Sequence, residues 1–227
     1  MLYDFFNLFF PDACISCETF LITGEQFICA KCSVSVVRSD SDPFHDEKVS
    51  RKFWGKVKIN KCYSYFKYLK GGVAQKLIFA IKYDDKKELG FLLGLRFGIE
   101  LKKKVKGEKI DLIVPVPLHK RKLRERGFNQ SEWISKGIAQ GIGAEMTADL
   151  VERTVYGLSL TRNTRFERWI KSSSIYRLKN GNQNLHGLHI LLVDDVITTG
   201  STLEAVADVL LKAGADKVSL AALASAV

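Results

Sequence analysis

Apolar positions change their spacing several times along the chain, and each change marks an element. Over 61–69 aromatic and polar residues alternate through Tyr63, Tyr65, Lys67 and Leu69 before Gly71 and Gly72, the pattern of a strand running into a turn. Residues 73–83 read as a helix. Residues 89–105 continue in helix-compatible residues and finish in Lys102, Lys103 and Lys104, cations that suit a helix C-terminus. Ile110-Asp-Leu-Ile-Val-Pro-Val116 is a short β-rich run, followed by a basic loop and an amphipathic helix over about 129–140. Another strand is expected within 148–155, and the Arg-rich stretch 161–174 has the polarity of a mobile loop. At the end, Ile190-Leu-Leu-Val193 is a buried-strand run, 201–213 is helical, Gly214 stops that helix, and 218–222 returns as strand.

Strands alternating with helices predict an α/β fold built on a parallel sheet. The polar stretch near 38–58, rich in turn formers, divides the chain into a small module at 1–45, a linker at 46–58 and a main domain at 59–227. With 227 residues, of which 46% are hydrophobic, there is material for one ordinary core and a small appendage, but not for two equal cores.

Charge adds a sign to this outline. The formal net charge of +10 favours anionic partners, either phosphorylated metabolites or nucleic acid. The apolar opening at 1–10 has no basic leader and runs into Pro11, so no export signal is expected. No uncharged apolar stretch approaches the roughly 18 to 20 residues of a spanning helix. The expectation is a cytoplasmic protein without membrane insertion.

The most informative string is Ile190-Leu-Leu-Val-Asp-Asp-Val-Ile-Thr-Thr-Gly-Ser-Thr202. Ligands of open α/β sheets bind outside the carboxyl ends of the strands, where Asp194 and Asp195 would stand. Carboxylates accept hydrogen bonds, and a vicinal diol offers two. Thr198, Thr199, Gly200, Ser201 and Thr202 can turn backbone N–H groups and hydroxyls toward one anion at a helix N-terminus. Since carboxylates repel a phosphate held beside them, a ligand with its diol and phosphate a few ångströms apart fits best, and ribose 5-phosphate is such a ligand. An isolated Asp pair could instead be solvated or bind a metal. The whole string, however, matches the 5-phosphoribosyl-1-pyrophosphate (PRPP) motif of type I phosphoribosyltransferases position by position.

The segment 115–130 carries His119, Lys120, Arg121, Lys122, Arg124 and Arg126 against the single acid Glu125. Such a cluster could clamp a pyrophosphate, track a nucleic-acid backbone, or simply be solvated. Pro117, Leu118, His119, Arg126, Gly127, Phe128, Asn129 and Gln130 resemble the Pro-Leu-His…Arg-Gly-Phe-Asn-Gln signature of the ComF family. With the PRPP motif and the cysteines described next, the resemblance covers nearly the whole chain. It implies a bacterial protein with a type I phosphoribosyltransferase fold, often linked to competence for DNA uptake. It also implies a mobile loop in which Arg168 matches the family arginine, whereas Lys171 stands where the family has Asn. That departure bears on catalysis more than on ligand binding.

Cys14-x-x-Cys17 and Cys29-x-x-Cys32 form two knuckles with the spacing of a tetrahedral four-thiolate zinc site. Disulfides fit a cytosolic chain poorly, and a redox pair would need only one such motif. A closed site of this kind has no open position for chemistry and would serve to fold a segment too small to support itself.

Two functions follow. As a phosphoribosyltransferase, the domain would bind Mg²⁺ and PRPP, with Asp194 and Asp195 on the ribose hydroxyls, 198–202 on the 5-phosphate, the basic loop on the pyrophosphate and the loop around Arg168 closing above. As a binding module, it would use PRPP for regulation while the basic surface engages single-stranded DNA, with Phe128, Phe166 and Trp169 available to stack on bases. Proteins of a DNA-uptake system are further partners implied by the resemblance.

Overall fold

The computed structural model describes residues 12–38, 47–105, 107–156, 175–181 and 184–226. The expected loop at 161–174 with Arg168, Phe166 and Trp169 lies outside these residues, as does the aromatic opening of the chain.

Five parallel strands form the central sheet: β1 (Cys62–Lys67), β2 (Leu112–Pro115), β3 (Glu145–Met146), β6 (His189–Ile197) and β7 (Lys217–Ser225), in the order β1-β7-β6-β2-β3. Buried on both faces, the two long strands read as continuous apolar runs. Leu191 and Val193 of β6 point into one core, Ile190 and Leu192 into the other. The expected strand at 190–193 extends through both acids, because Asp194 and Val196 keep register with Ala222 and Ala224 of β7. The strand expected within 148–155 shrinks to β4 (Val151–Arg153), which pairs antiparallel with β5 (Tyr176–Leu178) outside the main sheet.

Among the described residues, seven helices accompany the strands: α1 (Ala30–Ser35), α2 (Glu47–Ser50), α3 (Val73–Tyr83), α4 (Lys87–Lys104), α5 (Lys120–Arg126), α6 (Gln130–Ile142) and α7 (Ser201–Lys212), the last following the turn after β6. Helices α3, α4 and α6 cover one face of the sheet. Helix α7, the β4–β5 pair and residues 49 and 53 cover the other.

Helices α4 and α6 approach each other through glycines. A Cβ on Gly94 would lie 2.3 Å from the Ile134 carbonyl oxygen, and one on Gly137 would lie 2.1 Å from the Phe91 carbonyl oxygen. Backbone thus packs directly on backbone, which also fixes the start of α6, where the sheet's carboxyl edge begins. Gly137 is therefore a contact position inside the helix, which ends at Gly143 in the left-handed region.

The segment expected to be a linker contributes to the core. Helix α2 is followed by a 3₁₀ turn (Arg51–Phe53), and Val49 and Phe53 are fully buried. Its polar neighbours hide two apolar anchors four residues apart, a spacing that places both on one helical face.

The cysteine module docks on β1, α3 and α4. Arg38 bridges to Phe66 of β1 and pairs with Glu100 at 2.9 Å, while the Tyr65 hydroxyl donates to the same carboxylate at 2.8 Å. Among the described residues, no helix is long and apolar enough to cross a membrane.

Candidate functional site

Strand β6 carries Asp194 and Asp195 to the carboxyl edge of the sheet and then turns at 198–200. Gly200 has φ of +81° and caps α7 without a side-chain acceptor, so no side chain competes for the N–H groups of the first helical turn. The Thr199 and Ser201 hydroxyls lie 3.2 Å apart above this turn. Asp194 and residues 196–203 line an open depression of about 220 Å³. Phe53 supports it from below: a Cβ on Gly200 would lie 2.8 Å from the ring. Lys52 adds a second support by donating to the Thr198 carbonyl at 2.6 Å and to the Ala226 carbonyl.

The two acids have different surroundings. Asp194 accepts from the Ser131 hydroxyl and from the Asp195 backbone N–H, both at 2.9 Å on the same oxygen. Loss of water pushes its carboxyl up to about 7, and the neighbouring Asp195 charge adds to this; Lys82 and the two hydrogen bonds pull the other way without prevailing. Asp195 pairs through Oδ1 with the Lys82 ammonium at 2.8 Å, with side-chain exposures of 6% and 22% respectively. Its Oδ2 is buried with no hydrogen-bond partner. A charged oxygen in that state is costly unless a ligand, ion or water meets it.

The basic stretch is a helix. His119 caps α5 by accepting the Arg121 N–H on Nδ1 at 3.1 Å, and Gly127 ends it in the left-handed region at φ +83°. Capping and the 120–126 run of helix formers override the loop expected from charge density alone. Residues four apart share a face, so α5 has two functional sides. Arg121 and Glu125 face Tyr156: the guanidinium pairs with Glu125 at 3.0 Å and lies 4.5 Å from the Tyr156 ring centroid. Lys122 and Arg126 belong to the other side, with Lys82 and Arg153. Burial lowers the Lys122 ammonium first, and repulsion from Arg126, Arg153 and Lys82 lowers it further, against the pull of Asp195. Lys120 and Arg124 are exposed.

Asn129, Gln130 and Ser131 begin α6 and are buried. Asn129 caps the helix by accepting the Ser131 N–H at 3.1 Å and donates to the Val116 carbonyl at 3.0 Å. Gln130 accepts from Arg126, which also lies 5.5 Å from the Tyr83 ring centroid. Phe128 is buried in the core and is not available for base stacking, since the turn between α5 and α6 points its ring inward. From the second face, Tyr176 of β5 reaches the Thr202 side chain with its hydroxyl.

The structure sets Asp194, Asp195 and 198–202 at one edge of the sheet and adds Ser131, Lys82, Arg153 and Phe53 around them, with Lys122 of the basic stretch on the same side. Of the sequence-derived basic residues, Arg126 faces the acids, while His119 acts as a cap and Arg121 is engaged with Glu125 and Tyr156. No local pattern marks Lys82 or Arg153, which are distant in sequence. Ser131 follows directly on the Asn-Gln pair and could have been read with it.

The four cysteines form the second site. Their sulfur atoms lie within 4.8 Å of one another, with Cys17 and Cys29 at 3.6 Å. A tetrahedral ion with bonds of about 2.3 Å sets sulfurs at about 3.8 Å, so the cluster fits a zinc-sized ion. The Cys29 N–H points at the Cys14 sulfur at 3.4 Å and the Cys32 N–H at the Cys29 sulfur at 3.5 Å, arrangements that favour thiolate. Burial, aided by its three neighbours, pushes the Cys32 thiol up to about 12. Four sulfurs crowded in this way need a cation to ionise together.

Residues 137–226 match the family described as "Phosphoribosyl transferase domain". The chain is 30% identical over 151 residues to the DNA utilization protein YhgH of Escherichia coli (strain K12), covering 63% of each chain. It is 32% identical over 117 residues to competence protein ComFC of Bacillus subtilis (strain 168), covering 49% of this chain and 42% of that one. It is 28% identical over 116 residues to competence protein F of Haemophilus influenzae, covering 51% of each. The chain spans less than two thirds of the length of these relatives.

Proposed function

We propose that this chain is a competence-associated, phosphoribosyltransferase-like protein of the ComF family, a reading supported by its similarities to such proteins, and that it binds PRPP. The observation that carries the reading is the pairing of an orphaned, buried Asp195 oxygen with an uncapped helix N-terminus one turn further along the chain. The carboxylates of Asp194 and Asp195 accept the ribose hydroxyls, and the 198–202 turn receives the 5-phosphate. Arg126 and Lys122 lie on the side where the pyrophosphate would extend, and they are placed to take up its growing charge as it leaves C1. Mg²⁺, when bound with PRPP, would neutralise part of the same charge.

The cysteine module holds a structural zinc in this reading, and the protein acts in the cytoplasm. Titration calorimetry with PRPP and Mg²⁺ tests the sugar site: wild-type protein binds, and the Asp194→Ala, Asp195→Ala double variant does not. Equal affinity in both proteins would refute the site.

A second reading has a specific observation behind it. Lys120 and Arg124, four residues apart on the short helix α5, are both exposed and form a side suited to phosphates of single-stranded DNA. Affinity for an oligonucleotide should then fall steeply with salt, and the slope should lessen when Lys120 and Arg124 are replaced. Absence of binding at low salt would end that reading.

A further inference from the structure

The geometry points to Lys82 as the residue that makes this site select a ribose 5-phosphate carrying a phosphorylated C1 over ribose 5-phosphate itself, an inference that rests on the PRPP reading. Lys82 comes from the last turn of α3, far in sequence from both motifs. Its ammonium lies 2.8 Å from Asp195 and is largely buried. It stands between the acidic pair and the basic side of α5: it interacts electrostatically with Asp195 and Asp194 on one side and with Arg126 and Lys122 on the other.

A neutral diol that docks on the free Oδ2 of Asp195 draws charge from the same carboxylate that holds this ammonium through Oδ1. Its arrival leaves a buried cation with a weakened counter-ion, beside Arg126 and Lys122, which already repel it. Weakening a buried pair in this way is costly, because the cation has little water to turn to. Ribose 5-phosphate brings its one anionic group to the 198–202 turn and offers nothing at the C1 end to compensate. A ligand phosphorylated at C1 supplies anionic oxygens on that side, so the lysine exchanges one counter-ion for another. Charge-assisted contacts of this kind are worth about 1.5 to 3 kcal/mol, or roughly tenfold to a hundredfold in affinity.

The test compares PRPP and ribose 5-phosphate, each with Mg²⁺, by titration calorimetry on the wild-type chain and on Lys82→Met and Lys82→Arg. Wild-type protein should prefer PRPP strongly. Lys82→Met should weaken PRPP about tenfold or more while ribose 5-phosphate stays within about threefold or binds more tightly, and Lys82→Arg should restore most of the preference. A merely structural lysine would weaken both ligands in parallel, and an unchanged ratio overturns the inference. If Lys82→Met does not fold, Lys82→Arg against Lys82→Gln gives the same ratio. Wild-type binding of neither ligand would instead sink the PRPP reading and this inference with it, whereas PRPP binding with an unaltered ratio sinks the inference alone.

Discussion

Replacing Gly200 by alanine probes how the 198–202 turn is held. Two costs add. The φ of +81° is a left-handed conformation that charges an alanine about 1 to 2 kcal/mol, and the new methyl would meet the Phe53 ring at 2.8 Å, an overpacking of about 1 to 3 kcal/mol. Lower entropy of the unfolded chain returns about 0.4 to 1 kcal/mol, leaving a net loss near ~3 kcal/mol. For a chain of this size that lowers the unfolding midpoint by about 6 to 12 °C without abolishing the fold. The two costs can be separated, because Phe53→Leu removes the ring atoms in contact but leaves φ unchanged. In a double-mutant cycle by urea unfolding, Gly200→Ala and Phe53→Leu should together cost about 1 to 2 kcal/mol less than their sum. Gly200→Asn should be tolerated better on the backbone side, since asparagine enters the left-handed region more readily. PRPP affinity should fall at least tenfold in Gly200→Ala. Strict additivity of the two substitutions would refute the idea that Phe53 sets the position of the turn. Loss of under ~0.5 kcal/mol in Gly200→Ala would refute the backbone argument as well.

Three more outcomes follow from the same structure. Asp194 has a raised folded pKa near 7, so the folded state binds more protons than the unfolded one between about pH 4 and 7. Its contribution to stability is thus fully present at low pH and is lost as pH rises through 7. Asp194→Asn should flatten that limb of the pH-stability curve and raise the unfolding midpoint at pH 8 while abolishing PRPP binding; a destabilised variant at pH 8 would contradict the assignment. Gly137→Ala should destabilise by about 2 to 3 kcal/mol despite alanine's helix preference of about 1 kcal/mol, because its methyl meets the Phe91 carbonyl at 2.1 Å. Gly181→Ala, with open space around it, is the matched control, and equal unfolding midpoints for the two would refute the close packing of α4 on α6. Elemental analysis should find one zinc per chain, absent in Cys14→Ser, and metal-free protein that keeps the wild-type unfolding midpoint would count against a structural role.

Contiguous chemistry was the part most open to reading from the residues alone. The acids and the small-residue turn sit in one string, so strand, ligand groups and helix start can be recognised together, and the cysteine knuckles carry their spacing on their face. Features made by distant segments left no such trace. Lys82 is one lysine among many until α3 packs beside β6. Phe53 stands in a polar stretch whose composition suggests a connection, and only tertiary packing turns it into the support of Gly200. The glycines of α4 and α6 resemble helix breakers, whereas their role is to let two backbones touch. Helix α5 was hidden by its own charge, since a dense run of cations suggests solvent exposure before it suggests regular structure.

Helix α3 joins features that the sequence keeps apart. Near its start Lys76 donates to the Ser16 carbonyl inside the first cysteine knuckle, and Val73 packs on the cysteine cluster; at its end Lys82 meets Asp195. Eleven residues, about 16 Å of helix, separate the first cysteine knuckle from Asp195. A deletion that trims the N-terminal module would therefore free one end of the rod that presents Lys82. Cutting the chain between its cysteine module and its sheet domain would alter the surroundings of the acidic pair that such a cut sets out to isolate.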